Sequence, residues 1–146
     1  MNRTAALLAV TCVAVAVAAP SALATPPKTF SKTYETTTPM PDPTNFVPGK
    51  YSVCEQTVPG SFNTQPVKIP GKGSLHVELT GYTGDYDLLL MDADKEELAS
   101  SGQTAVQGEP EIVDVSFKKP TTVYVVNCNW AGAPTSKVSY TFTPKK

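Results

Sequence analysis

The chain has one histidine, one tryptophan, three cysteines and a single arginine, Arg3, so that no arginine follows the first few residues. Each scarcity removes a class of function. A Ser-His-Asp arrangement would have to use His76 as its base. His76 lies in an alternating stretch with Glu78 as its nearest same-face neighbour, and no Gly-x-Ser-x-Gly elbow occurs. With one histidine and no Cys-x-x-Cys spacing, a tetrahedral zinc set is poorly supported. Nucleic acid is not an expected partner: residues 25–146 carry eleven lysines against thirteen acidic side chains, a net charge of −2, and no guanidinium fork for phosphate. Paired carboxylates are plentiful, but most crowd one turn, and a chain this short leaves little room for a cleft with opposed carboxyls. No catalytic residue is assigned, and the protein is not expected to be an enzyme. Helical periodicity is missing too: after residue 24 no apolar spacing of 3.6 appears, so helix is expected to be nearly absent.

A long apolar run occurs once, at the amino terminus. Arg3 precedes an uncharged Ala/Val/Leu stretch from Ala5 to Ala19, followed by Pro20 and the small-residue site Ala22-Leu23-Ala24. Residues 1–24 therefore read as a secretory signal peptide cut after Ala24, and the protein as secreted and extracellular. The run is shorter than the roughly 20 residues of a spanning helix, so no stable membrane anchor is expected. Cys12 sits inside it, after Thr11, and leaves with it. The remaining cysteines, Cys54 and Cys128, are an even pair far apart in sequence, read most simply as a disulfide in an oxidising compartment. Closing a loop of that length is worth roughly 4 kcal/mol in the chain-entropy picture.

Residues 25–48 hold Pro26, Pro27, Pro39, Pro41, Pro43 and Pro48 among many threonines and few aliphatics. Such a segment buries too little surface to offset the ordering of its backbone, and it is expected to be a flexible leader. The folded domain is expected over 49–146, as one monomeric unit. Its strands are expected at Tyr51–Cys54, Val67–Ile69, Ser74–Thr80, Tyr86–Met91, Glu97–Ser100, Glu111–Phe117, Thr121–Cys128 and Lys137–Thr143. Within Tyr86–Met91, alternation turns Leu88 and Leu90 to the core and Asp87, Leu89 and Met91 to the other side. Eight short strands, broken by Gly, Pro and Asp turns with no room for crossover helices, predict an all-β antiparallel sandwich.

The order of pieces carries a resemblance. Leu75, Val77 and Leu79 alternate ahead of Gly84-Asp85-Tyr86-Asp87-Leu88, then Leu90, an acidic turn, Leu98-Ala99-Ser100, a Val-Tyr-Val-Val strand at 123–126 and a closing Tyr140-x-Phe142 strand. This succession, over roughly Lys68 to Pro144, resembles the bacterial pre-peptidase C-terminal domain, a small β-sandwich of jelly-roll type related in shape to the collagen-binding domains of secreted clostridial collagenases, and implies a jelly-roll sandwich here. The chain departs from the family pattern at Leu89, where an aromatic residue is usual, and at Pro120-Thr121-Thr122, where a glycine is. The resemblance implies a binding or accessory module for an extracellular polymer or protein; the alternative is a regulator, inhibitor or folding partner of a secreted peptidase.

Two groups of residues are candidates for a site. Asp85, Asp87, Asp92 and Asp94, with Glu96 and Glu97 beside them, offer the hard oxygens that calcium requires, although the turn lacks the EF-hand glycine and has Lys95 at a ligand position. The competing reading is a solvated hairpin turn capped by its aspartates; on it the protein has no cofactor. The other group is aromatic. Trp130, in a loop after the strand ending at Cys128, and Tyr86 and Tyr124 are candidates for a ligand face, against the plainer reading of an indole packed over the sulfur bridge.

Overall fold

Period-two alternation runs through most of the chain, and it produces eight strands. The computed structural model describes residues 26–40, 60–102 and 109–145. These hold β1 (Phe30–Thr37), β2 (Phe62–Ile69), β3 (Gly73–Thr80), β4 (Gly84–Met91), β5 (Glu97–Ser101), β6 (Glu111–Phe117), β7 (Thr121–Gly132) and β8 (Thr135–Pro144), and no helix among the described residues. They form two four-stranded antiparallel sheets, ordered β1-β8-β3-β6 and β2-β7-β4-β5.

The pairing is nested: β1 with β8, β2 with β7, β3 with β6, β4 with β5. The chain is thus one long antiparallel hairpin whose tip is the turn from Asp92 to Glu96. Two further pairings, β3 with β8 and β4 with β7, join the folded-over hairpin into the two sheets. That is the connectivity of a jelly-roll sandwich. Between the sheets lie Leu75, Val77 and Leu79 of β3, Leu88 and Leu90 of β4, Val123 and Val125 of β7, and Val138 and Phe142 of β8, all inaccessible to solvent. Leu88 and Leu90 thus face inward as their alternation requires, while Leu89 and Met91 join a smaller apolar cluster with Val126 and Cys128 on the opposite face of their sheet.

The first strand corrects the sequence reading. Phe30–Thr37 lies within the segment expected to be a flexible leader, yet every one of its residues is registered against β8, from Phe30 opposite Phe142 to Thr37 opposite Thr135. The physical reason is that an edge strand needs little apolar surface of its own when its neighbour supplies the rest. Phe30 stacks on Phe142 with centroids 5.4 Å apart and meets Tyr140 edge-on at 6.2 Å, and Tyr34 closes on Tyr140 from the other side at 6.4 Å. The expected strand Tyr51–Cys54, and the remainder of the leader after Met40, lie outside the described residues. Strand β7 also runs on past Cys128 to Gly132, which puts Trp130 in a strand and not in a loop.

Beyond Val125 the inward positions of β7 become polar, at Asn127 and Asn129, both without solvent exposure. The Asn127 amide donates to Thr36 Oγ1 at 3.0 Å and lies 3.2 Å from Thr38 Oγ1; Asn129 Nδ2 donates to the carbonyl of Thr38 at 2.7 Å. Tyr86 adds its hydroxyl, donated to the carbonyl of Ala133 at 2.7 Å. Burying these groups is tolerable only because each donor finds an acceptor, and several of the acceptors belong to β1 or the residue after it. The amino-terminal strand is therefore stitched to the second sheet through the interior as well as to β8 along its edge. A chain starting at residue 41 is expected to lose at least about 10 °C in thermal midpoint by circular dichroism, where removal of a mere leader would leave the midpoint unchanged.

Candidate functional site

The ladder between β4 and β7 breaks at one point. Asp85 pairs with Ala131 and Tyr86 with Asn129, so Trp130 is left over as the extra residue of a bulge. The cause lies next to it: Gly84 and Gly132 face each other, and a Cβ on Gly84 would stand 1.9 Å from the carbonyl oxygen of Ala131. Backbones that approach this closely admit only glycine there, and Gly84 also adopts φ +90°. Alternation with Val126 and Cys128 turns the half-buried indole of Trp130 to the outer face of β2-β7-β4-β5, packed against the cluster of Leu89, Met91, Val126 and Cys128, and the bulge leaves it without a partner in the ladder. Cys128, two residues before it on the same face, is fully buried, and its partner in the sequence reading, Cys54, lies outside the described residues.

The indole N–H donates to Asp87 Oδ2. Gly102 makes room for that carboxylate, since a Cβ there would come within 2.6 Å of Asp87 Oδ1. Burial pushes the Asp87 carboxyl above its ordinary range; the indole hydrogen bond pulls it back, and the charges of Asp85 and Glu111 push it up again. Nearby, the Tyr82 ring packs against Tyr86, tilted by 32° with centroids 5.0 Å apart, and its hydroxyl donates to the carbonyl of Glu109 at 2.6 Å. Burial, then Glu111 and Asp85, raise the Tyr82 phenol to about 12, so it stays a neutral donor. The arrangement is an aromatic ring held in one orientation beside a carboxylate acceptor, which suits stacking and hydrogen bonding to a polar ligand.

The other sequence candidates go to different places. Tyr86 is only 1% exposed and belongs to the core, so it is not a ligand-facing residue: its ring fills the interior and its hydroxyl serves the polar network. Tyr124 stands at the far end of the outer face with the Lys95 ammonium 3.2 Å from its ring centroid. The four aspartates do not converge. Asp85 and Asp87 are at the start of β4 and Asp92 and Asp94 past its end, roughly 20 Å apart along the strand, and no group of three or more potential metal ligands forms among the described residues. Asp92 Oδ1 is committed to its own turn, accepting from the backbone N–H of Asp94 at 2.8 Å and of Glu96 at 3.0 Å, with Lys95 at φ 71°.

His76 does have a carboxylate partner that the one-strand reading missed. Asp114, opposite it on β6, lies 3.0 Å from Nδ1, and both side chains are exposed on the sheet face. The signal that could have found Asp114 is the β3–β6 register. The bulge at Trp130 had a weaker one, glycines at both ends of the pair.

No family model matches the chain, and no curated protein does. Among solved structures, the chain is similar to the Yersinia pseudotuberculosis-derived mitogen, at 16% identity over 58% of this chain and 86% of that one, with a TM-score of 0.32. It is also similar to VP2 of the infectious bursal disease virus subviral particle, at 9% identity over 80% of this chain and 32% of that one, TM-score 0.36. A third likeness is to the enzymatically active domain of bacteriophage CBA120 tailspike protein 4, at 15% identity over 75% and 19%, TM-score 0.31. Likenesses of this strength assign no function.

The raised Asp87 carboxyl has a signed consequence. Its protonated form is favoured by the fold, so the stability it contributes is complete below the ordinary carboxylate value of 3.8 and is lost as pH rises through the higher folded-state value. Asp87→Asn keeps an acceptor for the indole and removes the charge. Its thermal midpoint is expected to exceed that of the unaltered protein at pH 7, with the gap closing as pH falls toward 4. A gap independent of pH would contradict this.

Proposed function

We propose that the protein is an exported, non-catalytic binding or accessory module that engages an extracellular polymer or protein through the Trp130 end of its outer sheet face. The observation that carries the reading is the bulge: it takes Trp130 out of the ladder and pins its half-buried ring through Asp87. Aromatic side chains with a polar handle and few rotatable bonds lose little entropy on stacking, which makes them frequent anchors of recognition.

Several features support the export half of the reading. The amino-terminal sequence has the build of a signal peptide, and no helix among the described residues is long and apolar enough to cross a membrane. The Cys54–Cys128 disulfide belongs to the same proposal: Cys128 is inaccessible to solvent on the outer face of β7, where a bridge would be shielded. The resemblance to the pre-peptidase C-terminal domain accords with an accessory role, as one fold hosting many. The reading requires no cofactor and treats the molecule as a monomer.

The test is retention on insoluble collagen, chitin and bacterial cell wall. The unaltered protein is expected to be retained on one of them, and Trp130→Ala to bind at least about tenfold more weakly with an unchanged circular dichroism spectrum. Failure to bind any of the three, or equal retention of both proteins, would overturn the proposal.

A further inference from the structure

The edge of the sandwich formed by β5 and β6 is closed at one end and open at the other. At the closed end, Ser101 of β5 donates its hydroxyl to the buried carboxylate of Glu111, and the backbone N–H of Ile112 on β6 donates back to Ser101 Oγ at 3.3 Å. These bonds tie two strands that belong to different sheets. Because the strands run antiparallel, the start of β5 and the end of β6 lie at the opposite, untied end. There a cleft of about 380 Å³ opens between the sheets, lined by Leu98, Phe117, Val123, Lys118, Lys119 and Asp92 among others.

Three features make this cleft a built site. The floor is Val123, a core residue, so the cleft reaches the hydrophobic interior. The wall is Leu98, 41% exposed, one of the few large hydrophobic side chains left so open among the described residues. Its exposure has a structural cause: Leu90 pairs with Ala99 and Met91 with Glu97, so Leu98 is the extra residue of a bulge in β5. The mouth is cationic. Lys118 and Lys119 are exposed there, and neither is in an ion pair with a described residue. Asp92, the one acid in the lining, has its Oδ1 already bound to two backbone donors of its own turn. An apolar cleft of this size with two ammoniums at its rim against a single carboxylate calls for an apolar body with an anionic end. Two aliphatic residues and one ring form its apolar walls, without a second ring to sandwich a flat aryl group, which favours an alkyl chain.

We infer that the cleft between the open ends of β5 and β6 binds a medium-chain fatty acid, its alkyl chain against Leu98, Phe117 and Val123 and its carboxylate at Lys118 and Lys119. The site is separate from Trp130, roughly 23 Å away along β7, and stands whether or not the outer face binds a polymer.

Octanoate titrated into the purified protein, followed by amide chemical shifts in nitrogen-15 NMR spectra, is the test, with octanol as the neutral counterpart. Octanoate is expected to shift the amides of Leu98, Phe117 and Val123 and to bind at least tenfold more tightly than octanol. The double variant Lys118→Ala/Lys119→Ala is expected to reduce octanoate to the affinity of octanol while leaving octanol unaffected. Leu98→Asp, at an exposed position, is expected to weaken both ligands tenfold or more with the thermal midpoint unchanged; Leu98→Ser serves if that variant does not fold. Equal affinity for octanoate and octanol, shifts confined to other residues, or octanoate binding unaltered in the lysine variant would each overturn the inference.

Discussion

The interaction on which the rest depends is the pairing of the first strand with the last. Residues about a hundred positions apart, Phe30 with Phe142 and Tyr34 with Val138, must meet before the sheet β1-β8-β3-β6 is complete. Strands β7 and β8 each carry neighbours on both sides, so the carboxy-terminal part of the chain completes both sheets. Most tertiary contacts are therefore non-local, and the loop entropy of bringing the ends together is spent before most of the core is formed. What repays it is the apolar interior of β3, β4, β7 and β8, together with the aromatic bracket that seats β1.

A nested hairpin also explains where the polar groups lie. At one end of the sandwich the interior is Leu and Val, and at the other it is Asn127 and Asn129 with Thr36 and Thr38 as partners. Hydrogen bonds through the interior are directional, whereas contacts among aliphatic side chains are not. The polar end thus ties β1 over β7: Thr36 and Thr38 turn inward to accept from the Asn127 amide, which Ser136 of β8 also meets.

Much of this architecture was legible in the sequence, and the parts that were not have a common cause. Leu75, Val77 and Leu79, or Leu88 and Leu90, announce their strand and its inward face by alternation alone. Phe30 and Tyr34 do not, because Lys32 interrupts them and proline and threonine dominate the composition around them; their apolar partners, Tyr140 and Phe142, lie at the far end of the chain. Tyr86 looks like a surface residue when read beside Asp85 and Asp87, but the strand's own alternation places it with Leu88 and Leu90. The convergence expected of Asp85, Asp87, Asp92 and Asp94 failed for a geometric reason: residues close in sequence at the two ends of one extended strand are far apart in space.

Both surface features with chemical character arise where a ladder slips by one residue. In β7 the slip beside Gly84 and Gly132 releases Trp130; in β5 the slip opposite Leu90 and Met91 releases Leu98. A regular strand gives each side chain to the core or to solvent by strict alternation, which leaves little freedom to hold a large apolar group half in water. A bulge breaks that alternation locally while the ladder on either side keeps its register, so the released side chain stands on a rigid support. An indole packed over a buried sheet face and a leucine at the lip of the core are the outcomes here. Each lies toward an end of its ladder.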